Sequence, residues 1–228
     1  MLKFIMINRI FMGCLLGVFV FSGCGLFKSK VEKPAHELAS EGMEAYRDEK
    51  YEKAIESFQK LKDWYPFSKF AILAELKVAD AYYRLKQYED AIFAYEEFER
   101  LHPRNEAVPY VIYQIGMCYF VRIDTVDRDQ TSTQKALETF DRLTRQFPDD
   151  PYSFSAVEHM KKCIKTLAGH EFYVGLFYFK SKHYKAALHR FKAVLERYPD
   201  VGVHHKALQY ITLSEASMKA QQAKNKKD

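Results

Sequence analysis

The chain has 228 residues, of which 48% are hydrophobic and 29% are charged, and this balance excludes a disordered or collagen-like protein. The net charge of +5 lies at the two ends, because Lys3 and Arg9 give residues 1–23 a charge of +2 and residues 219–228 carry +3. The body between the ends is neutral, so the charge gives no indication of nucleic-acid binding.

Residues 1–23 have the features of a secretory signal peptide. Lys3 and Arg9 precede an uninterrupted apolar run of 12 residues, from Ile10 to Phe21. A stable membrane helix takes about 20 such residues, so this run is too short to span a bilayer. We therefore predict that it is the central region of a signal peptide.

Small residues precede a cysteine at the end of this run, in the sequence Phe21-Ser22-Gly23-Cys24, which resembles a bacterial lipobox. In such proteins the cysteine is lipidated and becomes the mature N-terminus, so we predict a lipid anchor on Cys24. Gram-negative lipoproteins retained at the inner membrane have Asp at the next position, where this chain has Gly25. We expect the periplasmic face of the outer membrane, with residues 24–34 forming the lipidated N-terminus and tether.

A pattern of four residues recurs through the rest of the chain. A small residue is followed after twelve positions by Ala, after four more by an aromatic residue and after eight more by Pro. The third of its four copies has eight extra residues before its Ala, and the copies are Gly42, Ala54, Phe58 and Pro66; Ala79, Ala91, Tyr95 and Pro103; Gly116, Ala136, Phe140 and Pro148; Gly175, Ala187, Phe191 and Pro199. The pattern resembles the tetratricopeptide repeat, a pair of antiparallel helices.

This spacing has a physical basis. Small residues fit where two helices cross closely, an aromatic ring fills the groove beside the crossing, and Pro ends the second helix. One pair cannot bury its own apolar face, so pairs stack on one another. We predict an all-α fold over residues 35–220, a solenoid of about ten helices in roughly five repeats, and a basic disordered tail at 221–228. The predicted helices are 35–47, 51–64, 69–85, 88–101, 106–121, 132–146, 151–167, 169–181, 184–197 and 203–220.

Two cysteines, Cys118 and Cys163, lie in the repeat region. We predict two buried thiols; a disulfide between them stays open, because the sequence does not place them within reach of each other. His159 lies four residues before Cys163, but two ligands are too few for a structural metal site. The sequence also lacks the short motifs of serine hydrolases, zinc proteases and phosphate-binding loops. We therefore predict no enzymatic activity, and no cofactor beyond the covalent lipid on Cys24.

Three segments narrow the resemblance to one family. Residues 65–71 join the first two repeats, Leu101-His102-Pro103 joins the next two, and the insertion carries Asp127-Arg128-Asp129. Together with the lipobox, these segments resemble the BamD family, the tetratricopeptide lipoproteins of the β-barrel assembly machinery. The resemblance implies a scaffold that binds the POTRA region of BamA, other subunits of the machinery and unfolded outer-membrane proteins. The alternative is a periplasmic tetratricopeptide lipoprotein that acts as an adaptor for cell-envelope or division machinery.

The first helix of each repeat lines the inner face of such a stack, and there a Tyr-Arg pair recurs in the first two repeats and aromatic residues follow in the third. Arg binds a carboxylate through two parallel hydrogen bonds, and Tyr presents a flat ring with a hydroxyl. β-Barrel proteins typically end in an aromatic residue with a free carboxylate. We therefore predict a peptide-binding groove, unless the rings only pack between helices and the arginines are only solvated. Its residues are Tyr46, Arg47, Tyr83, Arg84, Tyr110, Tyr113 and Phe120.

The insertion at 122–131 is the longest predicted loop. We predict that Asp127, Arg128 and Asp129 form a partner contact there, with a plain solvated connection as the alternative. The loop lacks the Gly and the final Glu of a calcium-binding loop. By resemblance, the second half of the chain, at 151–220, is the expected BamA-binding face.

Overall fold

The computed structural model describes residues 33–225, which leaves the predicted signal peptide, Cys24 and residues 226–228 outside the described residues. Within that range the chain is all-helical, which confirms the predicted fold class. The helices are α1 (Ala35–Arg47), α2 (Tyr51–Trp64), α3 (Ala71–Arg84), α4 (Tyr88–Leu101), α5 (Val108–Phe120), α6 (Thr131–Gln146), α7 (Pro151–Lys180), α8 (Tyr184–Arg197) and α9 (His204–Asn225).

Consecutive helices pack as antiparallel pairs: α1 with α2, α3 with α4, α5 with α6, and the second half of α7 with α8. In three of these pairs the two helices are joined by a three-residue turn of the same form. The middle residue of each turn, Glu49, Lys86 or Lys182, has a φ of 60°. The residue after it donates its N–H to a carbonyl five residues back, as between Lys50 and Ala45 at 2.8 Å. The third pair differs because a ten-residue connection at 121–130, which contains the insertion, replaces its turn.

The small residue of each repeat lies at the crossing of its two helices, as the sequence pattern predicts. A Cβ atom placed on Gly42 or on Gly175 would lie 2.6 Å from Cε1 of the phenylalanine on the facing helix, Phe58 or Phe191. Gly116 approaches Phe140 in the same way. These phenylalanine rings are almost completely buried. Any larger residue at three of the four crossings would therefore have to displace a buried ring.

The predicted break between helices 151–167 and 169–181 is wrong, because α7 continues without interruption for 30 residues. Leu167 and Ala168 are buried at the predicted break, so the segment packs as helix. Gly169 serves a different contact: a Cβ there would lie 3.1 Å from Val126 of the insertion. The described residues consequently form nine helices, in agreement with the predicted number of about ten, with one helix where the sequence predicts two.

The last helix also differs from the prediction at its end. α9 extends to Asn225, so residues 221–225 of the predicted disordered tail are helical. Tyr210 of α9 packs against the rings of Phe172, Phe179 and Phe191, with ring centroids 5.3 to 5.7 Å apart. This aromatic contact covers the end of the stack.

The core follows the chain as successive clusters between neighbouring pairs. Cys118 and Cys163 are free thiols in two different clusters, as the prediction of buried thiols requires. Burial raises the pKa of Cys118 to about 12 and that of Cys163 to about 11. Among the described residues, none of the helices is long and apolar enough to cross a membrane.

Candidate functional site

The first helices of the first three pairs line a common surface, on which a pocket of about 180 Å³ opens. A cavity of about 150 Å³ holds a benzene molecule, so this pocket has room for one aromatic ring. Most of the predicted groove residues line it, together with four others. The predicted ones are Tyr46, Tyr83, Arg84, Tyr110 and Tyr113, and the others are Asp80, Tyr95, Gln114 and Met117.

Arg84 supplies an exposed positive charge to the lining of this pocket. A side-chain hydrogen bond with Tyr46 of the preceding pair raises the pKa of Arg84 above its already high ordinary value. The guanidinium therefore stays protonated at every physiological pH. It presents this positive charge to solvent beside the pocket.

Arg47 occupies the same repeat position in the first pair but does not line the pocket. It is exposed at the end of α1. Arg84 reaches back to Tyr46 in the preceding pair, whereas no helical pair precedes α1 in the described chain. Of the two Tyr-Arg pairs, only the second therefore places its arginine at the pocket.

Asp80 is the buried polar centre of the pocket, with 4% of its surface exposed. Its Oδ1 accepts hydrogen bonds from the hydroxyl of Tyr95 at 2.7 Å and from the hydroxyl of Tyr110 at 2.8 Å. Its Oδ2 accepts one from Nζ of Lys77 at 2.7 Å. The Lys77 ammonium also lies 5.1 Å from the ring centroid of Tyr46. Asp80 thus joins α3 to α4 and to α5, and Lys77 offsets its charge.

Four tyrosine hydroxyls of the pocket have raised pKa values and remain protonated near neutral pH. Burial, followed by the charge of Asp80, raises the pKa of Tyr95 and of Tyr110 far above the ordinary range. Burial also raises the pKa of Tyr83 and of Tyr113. These hydroxyls are therefore hydrogen-bond donors, and they add no negative charge to the pocket.

An aromatic row continues from the pocket onto α7. The ring of Tyr113 lies 5.3 Å from that of Tyr152, and its hydroxyl is 3.0 Å from Nε2 of His159. The ring of Phe120 packs against His159 at a tilt of 54°, with ring centroids 4.4 Å apart, and does not line the pocket. Burial, and next the charge of Lys162, lowers the pKa of His159, which favours the neutral ring.

The predicted partner loop is held in a defined conformation with its charged side chains outside. Asp127, Arg128 and Asp129 are all exposed. Hydrogen bonds from Thr125 and Thr131 lower the pKa of Asp127 and of Asp129, respectively. Nδ1 of His170 lies 2.7 Å from the carbonyl oxygen of Val126, which fastens the loop to α7.

Sequence reasoning missed Asp80 as a residue of the site, although its position after Ala79 predicts that it faces the groove. It also missed Tyr152 and His159, because they precede the part of α7 that carries the repeat pattern. Among the described residues, no group of three or more His, Cys, Asp or Glu side chains could hold a metal ion.

Stacked helical pairs with a ring-sized pocket on their first helices define a tetratricopeptide-type repeat protein, a class that presents extended binding surfaces. A family model described as YfiO, outer membrane lipoprotein, matches residues 31–228. The chain belongs to this YfiO/BamD family.

Several relatives carry the name outer membrane protein assembly factor BamD. The protein of Caulobacter vibrioides is 31% identical over 73% of this chain, although the match covers only 55% of that protein. The protein of Rickettsia prowazekii is 31% identical over 78% of this chain and 72% of its own length. The protein of Vibrio cholerae is 27% identical over 86% of this chain and 86% of its own length. Among solved structures, the TPR2AB domain of yeast Sti1 matches 82% of this chain and 71% of its own, with 16% identity and a TM-score of 0.46.

Proposed function

We propose that this protein is a lipid-anchored scaffold of β-barrel assembly on the periplasmic face of the outer membrane. It binds the POTRA region of BamA together with other subunits, and it holds the C-terminal segments of unfolded outer-membrane proteins. The relatives named as assembly factors support the general role. The pocket formed by tyrosines beside Arg84 supports the binding of a peptide.

The pocket suits a chain that ends in an aromatic residue. The terminal ring enters between Tyr83, Tyr110 and Tyr113, which offer ring faces and edges. The terminal carboxylate meets the guanidinium of Arg84, which can donate two parallel hydrogen bonds to it. The Asp80 carboxylate is already paired with Lys77 and offers a peptide carboxylate no attraction, so the charge of the peptide stays at Arg84.

Arg84→Gln tests this assignment, and Arg47→Gln is its matched control, since both arginines end a first helix and follow a tyrosine. We expect Arg84→Gln to weaken the binding of a barrel C-terminal peptide about 10- to 100-fold, because a hydrogen bond to a charged group contributes about 1.5–3 kcal/mol. Arg47→Gln should leave the affinity unchanged. Isothermal titration with free-carboxylate and amidated peptides measures both effects. Equal affinity of Arg84→Gln and wild type would refute the groove.

Membership of the assembly machinery is tested by purification from detergent-solubilised membranes. We expect BamA to be recovered with the protein. Replacing Cys24 with Ala should prevent lipidation and delivery to the outer membrane. Recovery of envelope or division proteins without BamA would favour the adaptor function instead.

The contact of the loop with a partner needs a separate test. Arg128→Glu reverses one exposed charge between two aspartates, and we expect it to reduce the recovery of BamA. Lys86→Glu, at the exposed turn between α3 and α4 and outside residues 151–220, is the control for charge reversal. Unchanged recovery with Arg128→Glu would leave the loop as a solvated connection.

A further inference from the structure

Three interhelical connections meet at one edge of the stack, the edge at which α1 begins. They are residues 65–70, 102–107 and 147–150, and we call this side the first edge. Contacts between helix ends confirm the arrangement: Glu75 near the start of α3 lies 2.6 Å from His102 after α4. The rings of Tyr110 and Tyr152, at the starts of α5 and α7, lie 5.4 Å apart.

The first of these connections differs from its counterparts at an equivalent position. Each connection has Pro as its second residue, and the residue after that Pro is Phe67 in the first, Arg104 in the second and Asp149 in the third. The fourth repeat has Asp200 there. Phe67 is fully exposed, although charged residues occupy this position in the other three repeats. Folding gains nothing from its ring, so the ring is available to something outside the fold.

The net charge of the connections also differs, and it falls from the first connection to the third. Lys69 gives residues 65–70 a charge of +1, whereas Arg104 and Glu106 cancel in residues 102–107. Asp149 and Asp150 give residues 147–150 a charge of −2. Trp64, which directly precedes the first connection, is 38% exposed. Aromatic residues and a lysine therefore lie together at the end of the first edge that is nearest α1.

We propose that residues 64–69 form a membrane-contact loop that inserts Phe67 and Trp64 into the surface of the bilayer. Trp favours the headgroup region, exposed apolar rings favour the acyl boundary, and a lysine is attracted to anionic lipids. The inference rests on the proposed anchor at Cys24. Eleven residue steps separate Cys24 from Ala35 and span at most about 40 Å, so the start of α1, which lies on the first edge, stays within that distance of the proposed anchor.

The chain has a single tryptophan, Trp64, so its fluorescence reports on this loop alone. The test uses the full lipidated protein, purified in detergent and reconstituted into vesicles of three parts phosphatidylethanolamine and one part phosphatidylglycerol. The vesicles are prepared with and without dibrominated acyl chains, which quench tryptophan only at short range. We expect brominated lipid to quench at least half of the Trp64 emission.

Phe67→Ser should reduce this quenching at least twofold without affecting folding, because the ring is fully exposed. Phe93→Ser is the matched control: its ring is 71% exposed in the middle of α4, away from the first edge. Brominated lipid should quench Trp64 in this control as strongly as in the wild type. Equal quenching of Phe67→Ser and wild type would overturn the role of Phe67.

Flotation of the vesicles separates this inference from the proposed anchor. Protein that floats with the vesicles without quenching of Trp64 retains its anchor and overturns the membrane-contact loop. Protein that does not float refutes the anchor and the loop together. A shift of Trp64 emission when BamA is added, with no quenching by brominated lipid, would assign the loop to a protein partner and also overturn the inference.

Discussion

The second helical pair uses the repeat positions differently from the other three. In those three pairs a glycine faces a buried phenylalanine, and the contact contains no polar atom that the pocket uses. In the second pair Ala79 replaces the glycine and Tyr95 replaces the phenylalanine. The hydroxyl of Tyr95 reaches Asp80, which follows Ala79. One repeat position therefore closes a helix pair through an apolar ring in three copies, whereas in the second pair it also supplies a hydrogen bond to the polar centre of the pocket.

Gly116→Ala is the change that affects the apolar crossings most. The added methyl group would collide with the buried ring of Phe140, and overpacking of this kind costs about 1–3 kcal/mol. Urea denaturation should show this loss although alanine favours a helix by about 1 kcal/mol. Phe140→Leu in the same chain should recover part of it. A stabilised Gly116→Ala would show that the ring moves aside freely.

Asp80→Asn changes the polar contact of the second helical pair. It removes the charge that Lys77 pairs with and places an amide donor near an ammonium donor, so we expect a loss of about 1–3 kcal/mol in the free energy of unfolding. It should also weaken peptide binding, because Tyr110 is held by the same carboxylate. Asp90→Asn, at an exposed position of α4, is the control. Equal stability of the two variants would show that the buried carboxylate is dispensable.

Tyr95→Phe makes the second pair chemically like the others. It removes one hydrogen bond to the Asp80 carboxylate while keeping the ring, and Tyr110 and Lys77 still bond that carboxylate, so the expected loss is about 1.5 kcal/mol. Thermal unfolding measures the stability, and titration with the peptide shows whether the pocket is disturbed. A loss as large as that of Asp80→Asn would mean that the carboxylate acts mainly through Tyr95.

Replacement of His159 should have the smallest effect on stability, and this effect should depend on pH, unlike that of the tyrosines. Its pKa is lowered in the fold, so its contribution to stability is complete above the unfolded pKa of about 6.5 and is lost as the pH falls below it. Unfolding measured between pH 5 and 8 should therefore show a slope that His159→Gln reduces. The pKa values of Tyr95 and Tyr110 are raised, so these tyrosines add no slope in this range. An identical slope in His159→Gln would contradict the assignment.

The sequence predicts the regular part of the fold well because its signals are local. Spacing and Pro residues gave the bounds of α1, α2, α4 and α8 as they stand in the structure. The continuous α7 was not predicted, because the repeat pattern resumes only at Gly175 and gives no information on whether the helix before it is broken.

Only part of the pocket was predicted, because the repeat positions carry local information alone. Repeat positions identify which residues face the groove, and five of seven predicted residues line the pocket. They do not identify which arginine has a neighbour in the preceding pair, which distinguishes Arg84 from Arg47. The hydrogen bonds of Asp80 join residues up to 30 positions apart, and such contacts depend on the stacking of whole pairs.

The unbroken α7 has a mechanical consequence. Its 30 residues form a rod about 45 Å long whose first half packs on α6 and whose second half packs on α8. Earlier pairs are joined by short connections that can absorb small rotations, whereas these two neighbours share a single axis with no joint. The last two helical pairs are therefore held in register along one continuous helix, unlike the earlier pairs.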